Sequence, residues 1–325
     1  MNINKKNVYL LSPKFFGYEN DIALELKKLG ANVFLFDEKP FKSTFGKALI
    51  RFNLNKIIHY HKKKYFKEIL IKNANNIDIL IIINPESIYP KMLENVKKIN
   101  PKVKIITYMW DSFLNKPEAR KLISVSNSFF TFDPKDAERY SLKKLPLFYV
   151  SEYKKINFKR NFKYNSCFIG TAHSQRFSLV KKITKNLNRN FLFFYTPSLY
   201  VFLYKKFICQ ELNDLKLKDI STKKMSREDI ISVFNNTKVI IDINHPSQIG
   251  LTMRTIETLG AKRKLITTNI EVINYDFYHE NNILYYNEKI TPEDIQLFIE
   301  KPYIPINNSI YESYHISSWI KKLIS

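Results

Sequence analysis

The chain has little cysteine and no long apolar run. Cys167 and Cys209 are the only thiols in 325 residues, too few for a disulfide framework and not spaced as metal ligands. That usage fits a reducing compartment, and a cytoplasmic protein is expected. No stretch approaches the roughly 18 to 20 apolar residues of a membrane span. Lys5 and Lys6 precede a short apolar run over residues 8–11, but Ser12 and Pro13 end it too early for a signal peptide. No Gly-x-Gly-x-x-Gly follows the first strand of either half, which disfavours a dinucleotide dehydrogenase. Asp-x-Asp is missing too, so chemistry that does not depend on a metal is expected. No motif of a nucleic-acid reader and no repeat of solenoid length occurs.

What is there points to a globular protein of two domains. The length suits two domains of about 150 residues, and 45% hydrophobic with 14% aromatic residues supply ample surface to bury. The net charge is +23. Residues 1–150 hold 27 Lys+Arg against 14 Asp+Glu and the remainder 26 against 16. The excess is therefore spread evenly, unlike the stripe of a dedicated nucleic-acid module, and no nucleic-acid partner is expected.

Short apolar runs alternate with segments of helical period. In the first half, strands are expected over residues 7–11, 32–36, 77–83, 103–108, 129–132 and 147–150, with helices over 21–29 and 89–99. The runs at 77–83 and 103–108 have the continuous apolarity of strands buried on both faces. A basic segment, residues 41–73, reads as one or two inserted helices; Lys62, Lys63 and Lys64 in it are read either as a solvated face or as a contact with anionic lipid. Residues 151–163 read as a linker. The alternation restarts at 166–169 and continues through strands at 191–194, 238–243, 264–267 and 282–286, with Thr291 and Pro292 opening a late helix. The fold class expected is α/β, two Rossmann-like domains with a cleft between them. The first spans 1–150 and the second 164–325, with the C-terminal helix packing back on the first.

Ligands in an open parallel sheet bind beyond the carboxyl ends of the strands. In the second half this selects Gly170, Thr171, His173 and Arg176, then His245, Gly250, Thr252, Arg254 and Glu257. Gly250 lets a ligand approach the backbone. Thr252 and the open amides of a first helical turn can receive phosphate oxygens, and Arg254 adds fixed charge for a diphosphate. Glu257 shares Arg254's helix face, so it reads either as an acceptor for the ribose hydroxyls or as half of a surface ion pair. His173 and His245 read either as site residues or as local hydrogen-bond partners, and neither has the companions of a metal ligand.

The run Arg254-Thr-Ile-Glu257-Thr-Leu-Gly260, followed by Lys264-Leu-Ile-Thr-Thr268-Asn269, resembles the donor-site helix and next strand of GT-B glycosyltransferases. It is most similar to CgeB-like enzymes and those of capsule or lipopolysaccharide biosynthesis. The resemblance implies that Glu257 holds the nucleotide ribose and that Arg254, Gly250 and Thr252 lie at the diphosphate. Gly170-Thr171-Ala-His173 resembles the family's first loop of the C-terminal domain, with Arg176 opening the helix, and His173 is counted with the catalytic candidates. The likeness is specific over residues 168–176 and 240–269. One departure is Ile249, where many retaining members carry a second Glu, so a mechanism built on that carboxylate lacks its residue.

In the first half, Tyr108-Met-Trp-Asp111-Ser112 resembles the turn of CgeB-like proteins. Asp111 reads there either as the base of an inverting transfer or as a helix N-cap. Phe16-Gly17-Tyr18-Glu19 parallels the fold's first loop and supplies the substrate-binding candidates Gly17, Tyr18 and Glu19, with Glu19 alternatively complementing a helix dipole. The expectation is a transferase taking a nucleotide sugar, UDP-linked by preference, as substrate and using no cofactor. Its acceptor is a glycan or lipid-linked, met at an anionic membrane surface on the inner face of the cytoplasmic membrane. A nucleotide-sugar epimerase of the same fold and a non-enzymatic binder of an anionic polymer are the alternatives.

Overall fold

A computed structural model describes residues 1–39, 55–157, 161–173, 175–245 and 248–325. Of the basic insertion expected over residues 41–73, residues 41–54 lie outside the described ones. The rest forms the helix Asn55–Phe66 and the π-helical turn Lys67–Ile71.

The chain divides into two compact units, Met1–Pro146 together with Ile316–Ser325, and Leu147–His315. The first holds six parallel strands: β1 (Asn7–Ser12), β2 (Asn32–Asp37), β3 (Ile79–Ile83), β4 (Lys104–Met109), β5 (Ser128–Thr131) and β6 (Lys143–Lys144). Their order is β2-β1-β3-β4-β5-β6. β3 is buried along its whole length, as an uninterrupted Ile-Leu-Ile-Ile-Ile run requires in a sheet covered on both faces. The C-terminal helix Ile316–Leu323 belongs to this unit, where the buried Trp319 ring stands edge-on to Tyr108 with centroids 4.8 Å apart.

The second unit repeats the plan with β7 (Tyr164–Thr171), β8 (Asn190–Tyr195), β9 (Ile220–Ser221), β10 (Thr237–Asp242), β11 (Lys264–Thr267) and β12 (Ile283–Tyr285). The order is β12-β11-β10-β7-β8-β9, again all parallel. The helix Pro292–Glu300 starts as its sequence dictates: Thr291 caps it, Asp294 closes the reciprocal bond, and Pro292 takes the first position.

Two stretches differ from their sequence reading. Residues 147–150 form no strand of the first sheet; they open the second unit, where Tyr149 makes one isolated parallel bridge to His315. Their apolarity is satisfied by burial without a sheet edge to join. In the segment expected as a linker, the helix Ser151–Lys154 buries Tyr153, whose ring lies 5.8 Å from Phe234. Among the described residues no helix is long and apolar enough to cross a membrane.

Each sheet reverses its order once. β1 lies between β2 and β3, and β7 lies between β8 and β10. The loops leaving two such neighbours depart to opposite faces and open a crevice at their carboxyl ends, the usual place for a ligand in this class of fold.

Candidate functional site

The reversal in the second sheet falls between β7 and β10, so it gathers the loops after Thr171 and Asp242. These carry most of the residues selected from the sequence. His173 and His245, 72 positions apart in the chain, stand with ring centroids 5.4 Å apart. Arg176 ties the two loops together: its Nε donates to the Ile243 carbonyl at 2.9 Å and its Nη1 to the Thr171 carbonyl at 3.2 Å. Partial burial, with Arg176, His245 and Lys205 close by, pushes the His173 imidazole down to about 3. It is therefore neutral at physiological pH, with the positive charges of Arg176 and Lys205 near it. Gly170 sits at the end of β7 where a Cβ would meet the Phe168 ring at 2.8 Å. Close packing of strand and ring holds that position to glycine.

The second wall is the start of the helix Met253–Gly260. Its N-cap is Thr252, whose Oγ1 accepts the Thr255 amide at 3.1 Å and donates to Asp242 Oδ2 at 2.5 Å. Thr255 Oγ1 donates to the same oxygen at 2.7 Å. The buried Asp242 at the tip of β10 thus locks the helix to the strand. Sequence reading treated β10 as plain apolar strand and passed over this residue, although a carboxylate closing a buried strand just before a Thr-capped helix was the signal. Behind it, Thr268 Oγ1 donates to Asn244 Oδ1 at 2.6 Å, and Asn269 Nδ2 donates to the Ile249 and Gly250 carbonyls at 2.9 and 3.3 Å. These bonds shape the loop that Gly250 ends.

Arg254 is 17% exposed and meets Glu257 Oε2 at 2.7 Å, with its guanidinium 5.1 Å from the Phe234 ring centre. The Glu257 side chain is only 7% exposed and is also bonded by the Tyr153 phenol. The Arg254–Glu257 ion pair, one of the two readings of Glu257, is present, but not as a surface pair: its carboxylate is buried and its guanidinium half-buried. Thr252 is engaged with Asp242, as Arg254 is with Glu257.

In the first unit, Gly17 caps the helix Tyr18–Lys28 with φ 80°, and Phe16 before it has φ 51°. Gly17 takes the left-handed conformation without strain; Phe16 adopts it at a cost, held by its surroundings. Tyr18 is 2% exposed and packs within the unit. Glu19 Oε2 accepts the Phe15 amide at 3.0 Å, so this carboxylate fastens the loop. Asp111 Oδ1 accepts the Ser112 amide at 3.0 Å and Asn115 Nδ2 at 2.9 Å. It caps no helix, since the next one, Pro117–Leu122, is capped at Lys116; it braces a turn at the end of β4. Asp133 does cap the helix Pro134–Arg139.

Sequence reading missed a carboxylate beside these loops. Glu38, fully buried after β2, accepts the amides of Glu86, Ser87 and Ile88 on Oε1 at 2.8, 2.5 and 3.1 Å, while its buried Oε2 has no partner. Desolvation outweighs the three amides and pushes this carboxyl up to about 7. Next to it, Glu86 Oε2 pairs with Lys39 at 2.5 Å and with Lys116; these cations outweigh its desolvation and hold Glu86 down to about 2. Because the folded pKa of Glu38 is raised, its contribution to stability is complete below about pH 4.5 and is lost as pH rises through 7. The size is on the order of 3 kcal/mol at 1.36 kcal/mol per unit. Urea unfolding between pH 5 and 8 should show the decline, and Glu38→Gln should remove it. An equal slope in the variant would assign the pH dependence elsewhere.

Among the described residues, no three His, Cys, Asp or Glu side chains gather as a metal ion would need. No family model matches the sequence, and no curated protein does. Solved structures do match. A glycosyltransferase from Rickettsia africae superposes over 99% of this chain and 97% of its own, with TM-score 0.59 and 16% identity. HepE of Anabaena, in complex with UDP-glucose, superposes over 98% of each chain, with TM-score 0.58 and 10% identity. The fold is GT-B. A GT-B fold does not dictate one chemistry: UDP-GlcNAc 2-epimerase from Neisseria meningitidis, bound to UDP-GlcNAc, also covers 98% of each chain, with TM-score 0.55 and 10% identity.

Proposed function

We propose that this GT-B chain is a glycosyltransferase of surface-polysaccharide synthesis, of the CgeB-like or capsule and lipopolysaccharide kind. In this reading it takes a UDP-sugar as donor and a glycan or lipid-linked acceptor. The observation that carries the proposal is the convergence of His173, His245 and Arg176 with the N-terminus of the helix Met253–Gly260 at the order reversal of the second sheet. A departing nucleoside diphosphate gains negative charge as the glycosidic bond breaks. Fixed cations and helix amides stabilise that charge more than the ground state, which is what speeds the reaction. Arg176 and Arg254 supply the cations, so the reading is metal-independent. As the acceptor hydroxyl attacks the anomeric carbon and the nucleoside diphosphate leaves, the hydroxyl proton goes to a general base, a role the resemblance gives to Asp111.

The epimerase reading keeps the same nucleotide site and is favoured by the Neisseria likeness. It needs no acceptor, so turnover of a UDP-sugar in the absence of any acceptor would select it. Binding of an anionic polymer rests on the charge alone, and nucleotide binding at the second unit would set it aside.

The first test is thermal stabilisation by UDP-, GDP-, CMP- and TDP-sugars. A ligand at 100 times its Kd stabilises the fold by about 2.7 kcal/mol, and UDP-sugars are expected to give the shift. Glu257 is read as the anchor of Arg254 and, by the resemblance, as the ribose acceptor. Glu257→Gln should weaken UDP affinity by about 1 to 3 kcal/mol, the range for hydrogen bonds to charged groups. Unchanged affinity by calorimetry would reduce the pair to a structural one.

A further inference from the structure

The helix Leu199–Phe207 follows β8 in the second unit and is the most apolar helix described, yet it buries only Phe202. Six large apolar side chains within ten residues face solvent: Leu199, Tyr200, Leu203, Tyr204, Phe207 and Ile208, with Tyr200 84% and Phe207 66% exposed. At about 100° per residue these six sweep roughly half the helix circumference, and Phe202 falls on the opposite side. One anchor thus docks the helix, and the broad remainder is a continuous apolar face. Contiguous apolar surface of this kind is uncommon unless something covers it.

Charge identifies the cover. Residues 199–224 contain Lys205, Lys206, Lys216, Lys218, Lys223 and Lys224 against Glu211, Asp214 and Asp219. The helix itself has no acidic residue, and both of its lysines stand in the last turn. Lys206 spends its ammonium on the carbonyls of Asn213 and Leu215 at 2.6 and 2.8 Å, which folds the lysine-bearing segment back beside the helix. A second copy of the chain is a poor occupant, because each copy carries +23. An anionic bilayer satisfies both features. Aliphatic and phenolic side chains enter the boundary between headgroups and acyl chains; Lys205 is paired with Glu211 at 3.2 Å, so the exposed Lys216, Lys218 and Lys223 of the following segment supply the charge for the phosphates. We propose that the helix Leu199–Phe207 lies in the surface of an anionic phospholipid membrane and attaches the second unit to it. The proposal deepens the reading of a membrane-borne acceptor and moves the attachment away from Lys62, Lys63 and Lys64 of the other unit.

The experiment is co-sedimentation of the full chain with vesicles of phosphatidylcholine alone and of phosphatidylcholine with phosphatidylglycerol, with gel filtration in parallel. Binding to the anionic vesicles is expected. The triple variant Tyr200→Ser, Tyr204→Ser, Phe207→Ser should lower partitioning about tenfold or more. All three side chains are exposed, so its melting temperature should hold; Leu24→Ser, exposed in the other unit, serves as the control and should bind as the parent does. Loss of binding on Lys62→Gln, Lys63→Gln, Lys64→Gln with the triple variant unaffected would overturn the helix and keep the membrane. A parent dimer that the triple variant abolishes would make the face an interface between copies. Binding to neither vesicle overturns both the helix and the membrane-borne acceptor. UDP-sugar binding in the same preparations reports separately on the donor site.

Discussion

Asp111→Asn should lower turnover about 100-fold or more while the fold and UDP binding survive, the range for loss of a positioned general base. Both hydrogen bonds to Asp111, from the Ser112 amide and Asn115 Nδ2, use Oδ1. An asparagine oxygen accepts the same two bonds, so the turn after β4 keeps its bracing. What the amide cannot do is take a proton. The two candidate roles therefore respond differently to one change: a base loses its function and a brace keeps it. Turnover per folded molecule should be measured with donor affinity and melting temperature on the same sample. Retained turnover with an unchanged melting temperature would leave Asp111 as a turn residue and return the search for the base to His173, whose imidazole is held neutral.

Arg263→Met should destabilise the protein by about 3 kcal/mol or more, among the largest effects of a single substitution. Arg263 is 4% exposed, and its guanidinium donates to five carbonyls: Phe234 at 3.1 Å, Asn235 at 3.4 Å, Asn157 at 2.7 Å, Ala261 at 3.1 Å and Lys262 at 3.4 Å. Phe234 and Asn235 end the helix Arg227–Asn235, and Ala261 follows the helix Met253–Gly260. One planar cation thus satisfies carbonyls at two helix C-termini, where its charge also meets the negative end of each dipole. Burial lowers its pKa to about 10, so it stays charged at neutral pH. Methionine fills similar space but leaves the carbonyls buried without donors, each a penalty of about 1 to 3 kcal/mol. The helix Met253–Gly260 is held at its other end by Asp242, so under the proposed function the variant should also weaken UDP binding, read by urea unfolding and calorimetry together. A stability within 0.5 kcal/mol of the parent, the usual range for a surface change, would show that water replaces the guanidinium.

The elements were legible because a parallel sheet covered on both faces leaves a strong periodic signature. Residues 79–83 and 239–241 read as strands without ambiguity, and Thr291-Pro-Glu-Asp294 announced its helix through local hydrogen bonds alone. Residues 147–150 were misread for the same reason: an apolar run reports burial, and a pairing partner such as His315 lies far along the chain. The site divided similarly. Position at the end of a strand selected His173, His245, Arg176 and Arg254, which the fold assembles. Commitment to other residues was invisible: Glu19 to the Phe15 amide, Thr252 to Asp242, and the pair Arg254–Glu257 to the interior.

By itself the sequence determined two alternating α/β halves, a surplus of positive charge in both, and a cluster of His, Arg, Thr and Gly candidates at the second half's strand ends. These follow from periodicity, composition and residue type, which act over a few residues. Only the tertiary structure decided that β7 and β10 are neighbours at the order reversal, and so that His173 meets His245. It alone decided that Glu38 is buried with one oxygen unpaired and that the apolar helix Leu199–Phe207 faces outward. Strand order and burial come from packing between segments distant in the chain, which no local pattern encodes.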